Sequence, residues 1–136
     1  MRTSIRLALA GLIICLTGNG MTFAAGTGYI FVSNESDDTV SVIDGGSFEV
    51  IKTIATGDRP RDMRFSPDRT RLYVATSGAD HIEVINIATL EVAGTIEAGE
   101  DPEIFQLDPS GKILVVANED DNEVTVTDVV SGKQLR

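Results

Sequence analysis

The sequence predicts an all-β protein assembled from repeated four-stranded antiparallel units, and three observations predict it. The chain matches itself when slid by 42 residues. Within each unit, short runs rich in Val, Ile, Tyr and Thr alternate with turns rich in Gly, Pro, Asp and Asn, the pattern of brief strands and tight connections. Beyond the first segment, no window of eleven or more residues carries a 3.6-residue apolar period, so no substantial helix is expected.

The first segment reads as an address. Arg2 and Arg6 form a positive start, Leu7 to Leu16 an apolar stretch, and Thr22-Phe23-Ala24 a cleavage site with small residues at −3 and −1. Residues 1–24 are therefore expected to be a secretory signal peptide, with an apolar run shorter than the roughly 20 residues that span a bilayer. Cys15, the only cysteine, lies inside it, so the mature chain is expected to have no disulfide, thiolate metal site or Cys nucleophile. Two of the eleven basic side chains leave with the segment and all twenty-one acidic ones stay, which moves the net charge from −10 to −12. An exported, acidic, Cys-free chain suits a bacterial periplasm. That charge argues against nucleic acid as a partner, because phosphate neutralisation needs clustered Lys and Arg. No membrane association is expected after signal cleavage.

The remainder, 25–136, is the repeat. Ile30-Phe31-Val32 falls on Leu72-Tyr73-Val74 and then on Leu114-Val115-Val116. Val40-Ser41-Val42-Ile43-Asp44 falls on Ile82-Glu83-Val84-Ile85-Asn86 and on Val124-Thr125-Val126-Thr127-Asp128. Gly57 meets Gly99, Pro60 meets Pro102 and Pro67 meets Pro109. Eleven identities link 30–71 to 72–113, where chance gives about two or three. The clearest unit predicts strands over Arg71–Ala75, His81–Ile87, Glu91–Ile96 and Glu103–Asp108, with turns at Gly78-Ala79-Asp80, Ala88-Thr89 and Gly99–Pro102. A four-stranded repeat of 42 residues has the size of one β-propeller blade.

Leu72-Tyr73-Val74-Ala75-Thr76, Ile82-Glu83-Val84-Ile85-Asn86 and Phe65-Ser66-Pro67-Asp68 resemble the hallmark strands of the YVTN-type β-propeller repeat. The likeness covers residues 29–136. A signal peptide leading straight into the first repeat is similar to the exported propellers associated with pyrroloquinoline-quinone (PQQ)-dependent alcohol catabolism. The resemblance implies about seven blades, of which about two and a half are present. Residues 29–58 would be an incomplete first blade lacking its innermost strand, 59–98 the second blade, and 99–136 a truncated third. Because Gln134-Leu135-Arg136 falls only a few residues into an outermost strand, the chain is expected to be an N-terminal fragment. An open arc of blades exposes apolar sheet faces and strand edges, so the remaining blades or self-association are expected to cover them.

Strand direction sorts the loops onto two rims. One rim collects the loops after the second and fourth strands of each blade and is strongly acidic, with Arg59 and Arg61 as its basic exceptions. Asp37, Asp38, Arg59, Arg61, Glu100, Asp101, Glu119, Asp120 and Asp121 are its candidate partner-binding residues. Such a surface steers a basic partner, for example a soluble periplasmic cytochrome or a quinoprotein dehydrogenase; solvated turn residues are the plainer reading. Asp38, Asp80 and Asn122 share one repeat position, which argues for turns in the left-handed conformation. Glu119 to Glu123 lacks the spacing of a calcium loop. His81, the lone histidine, reads as an exposed strand start. Arg59, Arg61 and Arg64 flank an innermost strand, whereas Asp101, Glu103 and Gln106 occupy the matching places one blade on; ion pairs between neighbouring blades explain that alternation, and an anion site is the alternative.

No catalytic, cofactor or metal residue stands out, and PQQ enters only through the resemblance. The leading expectation is a non-enzymatic binding or accessory scaffold in the periplasm, linked to a PQQ-dependent dehydrogenase system. One alternative is a propeller enzyme, a lactonase or a quinone- or haem-dependent oxidoreductase, whose active site lies in other blades. Another is a surface-layer or adhesion repeat protein.

Overall fold

The computed structural model describes residues 26–120 and 122–136; the segment read as a signal peptide, and Asp121, lie outside them. Ten strands follow in chain order, β1 (Tyr29–Asn34), β2 (Thr39–Asp44), β3 (Val50–Ala55), β4 (Pro60–Phe65), β5 (Arg71–Thr76), β6 (His81–Asn86), β7 (Glu91–Glu97), β8 (Pro102–Leu107), β9 (Ile113–Asn118) and β10 (Glu123–Asp128). They form three antiparallel sheets, ordered β1-β2-β3, β4-β5-β6-β7 and β8-β9-β10, and each sheet is one blade. The helical content of the described residues is two three-residue 3₁₀ turns, Glu35–Asp37 and Ser77–Ala79, which follow the second strand of their blades. No helix among them is long and apolar enough to cross a membrane.

Turn chemistry repeats with the sequence. The carboxylate of Asp44 accepts hydrogen bonds from the backbone N–H groups of Gly46 and Ser47, the amide oxygen of Asn86 from Ala88 and Thr89, and the carboxylate of Asp128 from Val130 and Ser131. These are side-chain-closed turns, the reason Asp and Asn end strands. Each then passes through a left-handed residue, Phe48 (φ 60°), Leu90 (φ 55°) or Gly132 (φ 67°), before the chain returns. Gln134 bridges Thr127, and Leu135 N donates to Val126 O at 2.7 Å, so the final residues run along β10 as β7 runs along β6.

The blades are joined face to face by apolar side chains. Val40, Val42 and Ile54 of the first blade meet Leu72, Val74 and Ile85 of the second. Tyr73, Ile82 and Ile96 on the opposite face of the second blade meet Phe105, Leu107, Leu114 and Val116 of the third. Alternation along a strand places successive residues on opposite faces. β5, in the middle blade, is therefore buried from Leu72 to Thr76, while β9 alternates between buried and open. Burying each such side chain contributes about 1.5–3 kcal/mol. A backbone hydrogen bond also ties the innermost strands, where the Asp62 carboxylate accepts from Phe105 N at 3.2 Å.

Candidate functional site

The loops after the second and fourth strands meet at one rim, and two carboxylates build it by reaching across blades. Asp38 is left-handed at φ 52° and accepts from Arg59 N at 2.9 Å; Asp80, at φ 58°, accepts from Asp101 N at 3.0 Å. Asn122 has the same backbone conformation at φ 53°. This is the geometry that short side chains with a local hydrogen bond tolerate. Each spans 21 residues of sequence and fixes the entry of the following blade.

Between these anchors lies an ion-pair chain running across three blades. Glu35 of the first blade faces Arg59 at 3.5 Å and Arg61 at 3.4 Å. Arg61 in turn pairs with Glu103 of the third blade, and Arg59 lies 3.9 Å from Asp101. Arg61 thus stands between carboxylates of both neighbouring blades. The opposite signs at matching repeat positions are expressed here as contact between blades. Arg64, further along β4, pairs with Asp62 of its own strand at 2.7 Å.

Of the residues expected on the rim, the structure brings together Asp38, Arg59, Arg61, Asp101 and Glu119. Carboxylate oxygens of Asp101, Glu103 and Glu119 lie within 4.8 Å of one another, and Glu119 N donates to Asp101 O. Asp37, Glu100 and Asp120 are exposed, and Glu100 enters the network through its carbonyl, which accepts from Asn118 Nδ2 at 2.7 Å. Asp121 lies outside the described residues.

One expectation is corrected. His81 is not an exposed strand start: its side chain is 23% exposed, and Nε2 lies 3.7 Å from Glu83 Oε1. The connection into the second blade crosses close to this spot, where Glu83 accepts from Gly57 N. Glu83 and Asp62 were missed as inter-blade ties. The signal for Glu83 was its column, in which Ser41, Glu83 and Thr125 put a polar side chain at an inward position in every unit.

Clefts also mark the surface. One of about 270 Å³ is lined by Arg71, Tyr73, Asn86 and Val129 at the opposite end of the strands. Another, of about 380 Å³, runs along Glu103, Ile104, Ala117 and Glu119 on the open face of the third blade.

Comparison with known proteins places these features. A family model described as "Lactonase, 7-bladed beta-propeller" matches residues 20–134. No curated protein matches the chain. Among solved structures, hydrazine synthase from Kuenenia stuttgartiensis is similar at 25% identity with a TM-score of 0.73, covering 80% of this chain and 32% of that one. A putative 6-phosphogluconolactonase from Bacteroides fragilis is similar at 26% identity and a TM-score of 0.66, covering 79% of this chain and 34% of that one. The dihydro-heme d1 dehydrogenase NirN, in complex with DHE, shares the fold at 21% identity and a TM-score of 0.69, covering 85% of this chain and 25% of that one. The chain spans a quarter to a third of the length of these proteins.

Proposed function

The chain belongs to the family of seven-bladed, lactonase-type β-propellers, and from that premise we propose that it serves as an exported, periplasmic binding scaffold whose acidic rim receives a cationic protein. The observation that carries this reading is the distribution of charge. The two basic side chains of the rim are taken up by Glu35, Asp101 and Glu103, whereas Asp37, Glu100, Glu119 and Asp120 remain exposed. The rim therefore projects a negative field, which accelerates encounter with a positive surface and weakens with salt. A basic soluble cytochrome or a quinoprotein dehydrogenase fits that description, in keeping with the resemblance to YVTN-type propellers of PQQ-dependent alcohol catabolism. The test titrates the chain with a basic cytochrome c as probe at low and high ionic strength. Binding that disappears in high salt, and in the triple variant D37K/E100K/D120K, supports the reading. Binding indifferent to both overturns it.

A second reading has a specific observation behind it. Arg59 and Arg61 lie beside the Asp101–Glu103–Glu119 carboxylates, which sets candidate general bases next to cations able to stabilise developing negative charge. The family description and the putative 6-phosphogluconolactonase favour it. Turnover of a sugar lactone, lost in Glu103→Gln with the fold intact, would establish this reading.

A further inference from the structure

The seam between the first and second blades is filled where the seam between the second and third is hollow, and the repeat shows why. In the first seam Tyr29, Phe31, Ile87 and Leu90 pack against the buried cluster of Val40, Val42, Leu72 and Ile85, with the Tyr29 and Phe31 rings edge to face at 6.3 Å. One unit on, Arg71 stands in the place of Tyr29, Tyr73 in that of Phe31, Val129 in that of Ile87 and Gly132 in that of Leu90. Leu90 and Gly132 share the left-handed backbone, at φ 55° and 67°, so the turn is kept and only the side chain is lost. A Cβ at Gly132 would meet nothing within 4 Å, nor would one at Gly94 on the wall of the gap. What remains is the cleft of about 270 Å³. None of the apolar side chains packed in the first seam comes from β7, the fourth strand of its blade, so the walls of the cleft are set by residues up to Gly132, whatever follows them.

The polar groups of this cleft are uncommitted. Arg71 makes no ion pair among the described residues. The Asp68 carboxylate, close enough to feel its charge, accepts instead from the Ser66 hydroxyl and from the N–H and hydroxyl of Thr70. Tyr73 is only 2% exposed, yet its hydroxyl has no hydrogen-bond partner among the described residues. Asn86 commits its amide oxygen to Ala88 and Thr89, which leaves its NH₂ group to the cleft. Donors therefore line one side and the apolar Val84, Ile96 and Val129 the other. We propose that this cleft binds a small organic carboxylate, its oxygens on the Arg71 guanidinium and the Tyr73 hydroxyl and its apolar body against Val84, Ile96 and Val129. A guanidinium presents two parallel N–H groups that match a carboxylate, and a concave apolar wall with a few placed polar groups is the usual form of a small-molecule site. The site is independent of the acidic rim, which lies at the other end of the strands and repels anions.

The test is calorimetric titration of the chain with benzoate, with benzyl alcohol and inorganic phosphate as comparison probes. Saturable binding of one benzoate per chain is expected. Benzyl alcohol, which lacks the charge, and phosphate, which lacks the apolar body, are each expected to bind at least about tenfold more weakly. Arg71→Tyr, which installs the side chain of the first blade, is expected to weaken benzoate at least about tenfold, and Tyr73→Phe about threefold. Gly132→Leu rebuilds the side chain that fills the first seam and is expected to abolish binding while keeping the β-type circular dichroism of the parent. Gly94→Leu fills the cleft from its other wall and takes over should Gly132→Leu fail to fold. Absence of saturable benzoate binding overturns the proposal. So does phosphate that binds as tightly as benzoate, or a benzoate affinity unmoved by Arg71→Tyr and by the filling variant.

Discussion

Oε1 of Glu83 accepts a hydrogen bond from Gly57 N at 2.9 Å across 26 residues, from the third strand of the second blade to the connection that enters it. In the third blade the same seam is closed with reversed polarity. There Asn118 Nδ2 donates to the carbonyls of Ala98 and Glu100, while its Oδ1 accepts from the Thr125 hydroxyl at 2.9 Å. Position 76, the counterpart of Asn118, is a threonine, and its hydroxyl is occupied with His81 O at 2.7 Å. Glu83 closes the seam in its place.

Removing that acceptor leaves the part-buried Gly57 N without its partner, and an unmet donor costs about 1–3 kcal/mol when fully buried. Glu83→Ala is therefore expected to lower unfolding stability by about 1 kcal/mol, the low end of that range. Glu83→Gln keeps an acceptor oxygen and removes a charge that is only 9% exposed, so it is expected to stay within about 1 kcal/mol of the parent. Denaturant unfolding of the two variants, measured side by side, checks both numbers.

The same seam sets the size limit at Gly57. A Cβ there would lie 2.9 Å from Ala79 Cβ and 3.4 Å from Thr76 Cβ, whereas one at Gly94 meets nothing within 4 Å. Gly57→Ala is expected to cost about 1–3 kcal/mol through overpacking. Gly94→Ala, on an exposed strand, is expected to be neutral or slightly stabilising. Thermal melts that ranked the two in the opposite order would contradict the close packing of the connection.

Phe48 holds a left-handed φ of 60° while 73% exposed, at the repeat position that Gly132 fills in the third blade. A side chain in this conformation carries about 1–2 kcal/mol of strain, part of which glycine's extra freedom in the unfolded chain offsets. Phe48→Gly is expected to raise stability by up to about 1 kcal/mol, read as a higher denaturant midpoint with an unchanged slope.

Acid should weaken the fold over a defined range. The Ser66 hydroxyl, followed by the backbone and hydroxyl of Thr70, holds the Asp68 carboxyl at about 2, below the ordinary 3.8. The Ser110 hydroxyl, followed by Ile113 N, lowers Asp108 further. A carboxylate favoured in the folded state stabilises it above the unfolded value, and that contribution is lost as pH falls through the folded one. The melting temperature is expected to drop between about pH 4 and pH 2. Asp68→Asn and Asp108→Asn should each flatten that slope and lower stability at neutral pH.

The strands were legible almost to the residue. Arg71–Ala75 was expected and Arg71–Thr76 is found; Glu91–Ile96 became Glu91–Glu97, and Glu103–Asp108 became Pro102–Leu107. Local alternation and turn residues suffice there, because a hairpin is decided by its own few residues. At the rim, the opposite signs of Arg61 and Glu103 were visible as a repeat column. The second partner of Arg61, Glu35, was not, since it sits in a 3₁₀ turn that only three-dimensional closure brings near. His81 was misread for a different reason. Its side chain turns inward beside Glu83 of the same strand, at the point where the connection into the blade crosses.

The turn between the first two strands of each blade carries a quieter lesson. In the second blade the Ser66 hydroxyl donates to Asp68 at 2.6 Å; in the third the Ser110 hydroxyl donates to Asp108 at the same distance. Serine and aspartate have exchanged places between the two columns, and the bond between them has survived the exchange. A comparison that scores letters counts two mismatches where the chain has kept one interaction. Divergence between blades has here moved along a neutral track, with the partners trading roles, so the kinship of such units is best counted in bonds.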